Sequence, residues 1–267
     1  MGGFLMKKAV IFGAYHFLGF HICSALLEEG EEIIGITYPD LVVEDLDEKR
    51  MEIGRNANFS EKSLAEFTSI LQDTNIEVLY FDFYTLKQLS KYDKVKNLFS
   101  EYSDKKESQN KRFVFLVNVI SIETELDFIT SIKDILNGYA MQVVYLPTLY
   151  GPWQPSDFLF QQVIEGKEQK NIQLNIREYT NDAIFIEDAV KEVVKQTKKG
   201  QNNDILLKST EINHWQRCLE QLKWDMPKGL TKDISFSSYL QEVMVENKET
   251  IKDNLEQQKK HHLLYRI

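Results

Sequence analysis

Cysteine is nearly absent from this chain of 267 residues, and what little there is cannot build a disulfide framework. Cys23 falls on a helical apolar face and Cys218 inside a second helical pattern, so both read as buried thiols in a reducing, cytoplasmic setting. Basic charge is also short: 32 lysines and arginines against 41 acids leave a net charge of −9. No basic stripe with interleaved aromatics offsets that deficit, so neither nucleic acid nor an anionic membrane is an expected partner. Long apolar runs are missing too. The opening segment is broken by Lys7, Lys8, Gly13 and His16, and no stretch reaches the roughly 20 apolar residues of a membrane span or reads as a signal peptide. There is no serine nucleophile elbow and no Walker loop. His261 and His262 are adjacent, so they cannot share one helical face around a metal.

What is present is alternation. KKAVIFG at 7–13 is a short apolar run ending in glycine; Ile22, Cys23, Leu26 and Leu27 then share a helical face, and Gly30 closes that helix. EEIIGIT at 31–37 is a β-branched run that stops at Tyr38 and Pro39, completing a βαβ unit. Further strands are expected at 50–55, 76–83, 112–120 and 143–147, with helices at 61–72, 86–102 and 125–138 between them. Six strands interleaved with helices predict an α/β fold, a Rossmann-type doubly wound parallel sheet covered on both faces. Past Gly151 the texture changes to loops and short elements. The expected organisation is a nucleotide-binding domain over 1–150, a small cap over 151–236 interleaved with it, and a charged helical tail over 237–267.

Within this frame VIFGAYHFLGFHICSALLE, Val10 to Glu28, resembles the nucleotide-binding start of extended short-chain dehydrogenases. KNLFSEYSDKKESQNKRFVFLVN, PTLYGPWQP at 147–155 and NDAIFIEDAV at 181–190 follow in the order of three later landmarks. Together they resemble the NAD-dependent nucleotide-sugar epimerases and dehydratases. The resemblance implies a phosphate site made by Gly13, Ala14, His16, Phe17, Leu18 and Gly19, with NAD or NADP as the cofactor and a nucleotide or nucleotide-sugar as the partner. His16 stands at the middle glycine, where a side chain must crowd the cofactor or lend its own donor to a phosphate.

Other departures follow. Thr37 replaces the acid that grips the adenosine ribose, with Asp40 nearby but off register, and Asn58 falls near the place of the acid used against adenine. Asp82 either caps the next helix or faces the cleft. Asn118 takes the place of the catalytic serine, and Ser121 lies three residues on. After Ser121 the only lysine before 147 is Lys133 and the only tyrosine ahead of the sixth strand is Tyr139, in the reverse of the family's order. Tyr92 with Lys96 and Tyr102 with Lys106 have the family's spacing but precede the fifth strand. Tyr150 remains as a pocket-lining candidate, and Tyr145 and Leu146 stand where the family tends to place a phosphate-binding arginine.

Three readings remain open. One is a relative that has lost oxidoreductase chemistry and works by binding a nucleotide or a protein. The second is a working enzyme that recruits His16, Asp82 or Tyr150 as acid or base, and the third is a scaffold with no small-molecule site. The resemblance implies a homodimer through the helices beside strand five, and Leu98, Phe99, Phe128, Ile129, Ile132 and Leu136 fit either such a surface or core packing.

Overall fold

The computed structural model describes residues 7–38, 41–86, 93–103, 111–225, 234, 236 and 240–265. Asp40, Tyr92 and Lys106 lie outside them, as does the side chain of Tyr102. In chain order the elements are β1 Lys8–Phe12, α1 Phe17–Glu28, β2 Glu32–Ile36, α2 Leu46–Ile53, β3 Phe59–Lys62, α3 Phe67–Gln72, β4 Ile76–Asp82 and α4 Asp93–Ser103. There follow β5 Arg112–Asn118, α5 Ser121–Thr124, α6 Leu126–Ile135, β6 Ala140–Leu146, β7 Thr148–Tyr150, α7 Leu159–Ile164 and β8 Ala183–Phe185. The chain closes with α8 Ile186–Lys198, β9 Ile205–Ser209, α9 His214–Gln221, β10 Gln241–Val245 and α10 Ile251–Tyr265.

The main sheet has eight strands in the order β10-β9-β6-β5-β4-β1-β2-β3, and every neighbouring pair is parallel. The inner strands β1, β4, β5, β6 and β9 read as largely apolar runs because both of their faces are covered. Along β1, Ala9 and Ile11 face one core layer with α1, α8 and α9, whereas Val10 and Phe12 face another with α3, α4 and α6. Phe12, Phe81, Phe99, Phe113 and Phe115 form the centre of the second layer by stacked and edge-on contacts. The chain moves outward from β1 to β3 and then returns to place β4 on the other side of β1. That reversal opens a crevice at the carboxyl ends of β1 and β4, the place where ligands sit in open sheets of this kind.

Several expectations need correction. Residues 50–55 are not a strand, since α2 occupies them up to Ile53; the third strand is β3, a polar edge strand with the sequence FSEK. The sheet also does not finish at residue 150, because β9 and β10 extend it beyond β6. The segment after 237 is therefore not wholly helical: Gln241–Val245 pairs along the whole of β9 before α10 begins. Of the two readings of the residues beside strand five, core packing is the one the structure has. Phe99, Phe128, Ile129, Ile132 and Leu136 are buried in the core, with Leu98 packed against it, because α4 and α6 turn those faces onto the sheet.

Candidate functional site

The site is built on the turn between β1 and α1. Gly13 has a φ of +82°, and its N–H donates to Ile36 O at 2.8 Å, so the turn is held against the end of β2. A Cβ on Gly19 would stand 2.2 Å from the Gly13 carbonyl oxygen, so the absence of a side chain there lets α1 pack on the turn. Gly13 thus permits the tight turn and Gly19 the close approach of the helix to it. Ala14, Phe17 and Leu18 are buried in the same turn. The first N–H groups of a helix have no acceptor within it, and those of Phe17 and Leu18 head α1 at the crevice.

Asp82 does not face the crevice. It is fully buried at the end of β4, and its carboxylate accepts the N–H of Gly19 at 2.9 Å, of Tyr84 at 3.0 Å, and of Thr85. Burial pushes its pKa up to about 6 against the pull of those bonds. It caps α1 from beneath and ties the turn beyond β4 to it.

His16 is buried beside Gly13, with its ring 5.8 Å from that of Tyr38 and its Nε2 without a hydrogen-bond partner. Burial first, then the positive charges of Lys49 and Arg177, pull its pKa down to about 4, so the imidazole is neutral at pH 7. Thr37 follows β2 and is half-buried, while Tyr38 packs over the Gly13 turn where a ribose-gripping acid was sought. Asn58 is misplaced by the sequence reading. It precedes β3, at the amino edge of the sheet, and the residue after that strand is Ser63. Ser63 is taken up by a capping box, its N–H and hydroxyl both donating to Glu66.

The catalytic candidates are brought to the carboxyl edge but engaged there. Asn118 ends β5, where its Oδ1 accepts Ile120 N–H at 2.8 Å and its Nδ2 donates to Arg177 O at 2.6 Å. Ser121 opens α5 beyond it. Tyr150 is fully buried, its hydroxyl 3.0 Å from His214 Nε2, and His214 Nδ1 is 2.7 Å from Ser209 Oγ. Lys133 and Tyr139 lie at the opposite edge. Lys133 pairs with Asp204, just before β9, and Tyr139 stacks edge-on against Phe113 at the start of β5. Among the described residues, then, no tyrosine and lysine meet at the mouth of the sheet beyond β5.

The crevice above His16 is a cavity of about 350 Å3. Lys49, Glu44, Asp157 and Arg177 supply its charges, and Leu41, Val42 and Trp153 part of its apolar wall. Lys49 donates to Glu44 O at 2.9 Å and stands 5.4 Å from the Trp153 ring centre, while Glu44 accepts from the N–H and hydroxyl of Ser156. The turn that carries Glu44 therefore borders the site. Trp153 itself has a φ of +62° and contacts Phe20, His261 and Tyr265, so α10 backs one wall. Lys49 and Arg177 carried no sequence signal: one sits in a charged helix of low amphipathicity, the other in a loop without a motif.

Taken with the sheet order, this turn decides the comparison. The chain has the fold of the NAD-dependent nucleotide-sugar epimerases and dehydratases. A UDP-glucuronic acid 4-epimerase from Bacillus cereus in complex with NAD superposes with a TM-score of 0.69 at 16% identity, covering 98% of this chain and 100% of that one. A dTDP-glucose 4,6-dehydratase from Bacillus anthracis in complex with NAD gives 0.68 at 13% identity, over 97% of each chain. A UDP-glucose 4-epimerase from Bifidobacterium longum, in complex with NAD+ and UDP, gives 0.64 at 12%, over 97% of this chain and 98% of that one. No family model matches the sequence, and no curated protein sequence matches it either. Among the described residues no group of acids, cysteines and histidines could hold a metal ion, and no helix is long and apolar enough to cross a membrane.

One buried acid gives the site a pH signature. Glu178 accepts the N–H of Leu159 at 3.1 Å and of Asn175 at 2.9 Å, capping α7 next to Arg177, and burial raises its pKa to about 8. Its folded pKa lies above the unfolded value near 4.3, so the stability it contributes is complete below about pH 4.3 and is lost as pH rises through 8. In Glu178→Gln that loss is gone. Urea melts are expected to show the variant gaining roughly 2 kcal/mol on the wild type between pH 6 and pH 8; a gap that stays constant with pH overturns the assignment.

Proposed function

We infer that this protein binds a nucleotide in the crevice over Gly13 and carries out no oxidoreductase step there. The observation that supports this most is the content of the carboxyl edge beyond β5. The position sought for a catalytic serine is Asn118, engaged with Arg177 O, and the one lysine and one tyrosine between Ser121 and the start of β6 lie at the amino edge. The tyrosine-lysine chemistry requires a phenol near an ammonium group at the reacting carbon, so its acidity can be matched to proton transfer. Two of the substitutes are enclosed, Asp82 under the Gly13 turn and Tyr150 against His214. Support for binding comes from a glycine turn and a helix N-terminus at one cleft, which Lys49 and Arg177 line together with Glu44 and Asp157. The solved neighbours with this fold were captured with NAD and with nucleotide-sugars or UDP, which makes nucleotides the first ligands to try. Two free, buried thiols are in keeping with a reducing cytoplasm.

Calorimetry and product analysis on the purified chain test both halves. Heat from at least one nucleotide is expected, together with no conversion of UDP-glucose, UDP-glucuronic acid or dTDP-glucose during prolonged incubation with NAD. Turnover of any of these sugars overturns the loss of chemistry, and silence with every nucleotide overturns the binding.

A further inference from the structure

The late strands of the sheet bring together a second set of reactive groups, away from the crevice. β9 ends at Ser209, and His214, five residues on, opens α9, so a short loop folds the imidazole back over the strand end. Ser209 Oγ stands 2.7 Å from His214 Nδ1, and the other ring nitrogen, Nε2, stands 3.0 Å from the Tyr150 hydroxyl. Oγ also accepts Glu211 N–H at 3.0 Å, while the Ser209 N–H donates to Asp182 at 2.9 Å, so the serine is fixed through both its side chain and its backbone. His214 and Tyr150 are fully buried, whereas Ser209 lines a cavity of about 260 Å3 at the carboxyl ends of β5, β6 and β9. Val119, Leu206 and Phe236 give this cavity an apolar wall. It shares no lining residue with the cleft over His16.

A serine within hydrogen-bond reach of an imidazole that a third group holds in place is the arrangement that makes a hydroxyl nucleophilic. We propose that Ser209 is the nucleophile and His214 the general base of an acyl-transfer site that takes small activated esters into this cavity. Tyr150 is the positioning residue. Its oxygen accepts Nε2–H, which leaves Nδ1 unprotonated toward Ser209, and its own hydroxyl proton is directed to Cys218. In the first step Oγ bonds to the ester carbonyl carbon as its proton passes to Nδ1; the bond from that carbon to the alcohol oxygen then breaks, and the proton leaves on the departing alcohol. Water, giving up a proton to Nδ1, attacks the acylated serine, and the proton returns to Oγ as the carboxylic acid departs. The leading N–H groups of α9, which lack acceptors within the helix and begin at this same histidine, are the donors for the charge that develops on the carbonyl oxygen. Burial holds the pKa of His214 down at about 4, so the ring is a free base at pH 7, but a weak one. A weak base suits an ester whose alcohol leaves readily and not an amide, and the small cavity suits a short acyl chain.

A fluorophosphonate probe and p-nitrophenyl acetate, each applied to the full chain, test the site. The probe is expected to label Ser209, as mapped by mass spectrometry of peptides, and the ester to be turned over. Ser209→Ala is expected to abolish both, and His214→Asn to slow labelling by about a hundredfold or more. Tyr150→Phe is expected to lower kcat for the ester by about tenfold with KM unchanged and the label still on Ser209, a split that a loosened fold would not give. Should the His214 variant fail to fold, the mapping and Ser209→Ala decide, because that change removes a single oxygen. No label on Ser209, or turnover that survives Ser209→Ala, overturns the proposal, and labelling at the wild-type rate in folded His214→Asn overturns the role of the base. Nucleotide titrations read the crevice separately, so either result leaves the nucleotide reading where it stands.

Discussion

Replacing Asp82 by alanine is expected to cost the fold roughly 3–5 kcal/mol in urea or thermal unfolding, a substantial share of the roughly 5–15 kcal/mol that holds a native protein folded. The expectation comes from counting donors. Gly19, Tyr84 and Thr85 each direct a buried N–H at the one carboxylate, and a buried donor stripped of its acceptor costs about 1–3 kcal/mol. Asp82→Asn keeps one acceptor oxygen and should lose less. The comparison separates lost hydrogen bonds from lost volume, because both variants remove the charge but only alanine opens space. If Asp82→Ala unfolds within 1 kcal/mol of wild type, the carboxylate is not what holds α1 to β4.

Gly19→Ala is expected to cost about 3 kcal/mol or more, the upper end of what overpacking a core does. The added methyl would sit 2.2 Å from Gly13 O and 2.8 Å from Gly13 C. Both are backbone atoms of a turn fixed to β2, so nothing flexible can give way. The helix must lift, and the Gly19 N–H then leaves Asp82. Gly30→Ala serves as a control for helix placement: nothing lies within 4 Å of its added Cβ, and its penalty comes only from a φ of +81°. A Gly19→Ala protein as stable as wild type would mean that α1 sits farther from the turn than described.

How far the sequence foretold this depends on burial. β1, α1 and β2 were legible because a strand covered on both faces is a plain apolar run and the glycines punctuate it. β3 was not, since an edge strand of sequence FSEK shows the solvent three polar residues and has no periodicity to read. β10 failed for the same reason: Gln241, Glu242 and Met244 are exposed at the other edge, inside a stretch whose charge suggested helix. Missing β3 carried Asn58 to the wrong end of the sheet. At the site, positions could be counted but not occupancy. Asn118 was placed correctly at the end of β5, yet nothing in the sequence announced that a loop 59 residues later would bring Arg177 onto it. Contacts of that span depend on the whole fold, and a loop residue without a motif leaves no local trace of them.

The position of α10 has a consequence for how the protein is made. Trp153 is held in a left-handed backbone conformation that a bulky residue resists, and its ring is covered by His261 and Tyr265. During synthesis the strands around β1 emerge first and can associate early. The wall of the crevice cannot be finished until α10 has left the ribosome, so a chain halted near residue 240 would carry an assembled glycine turn beside an indole lacking its His261 and Tyr265 cover.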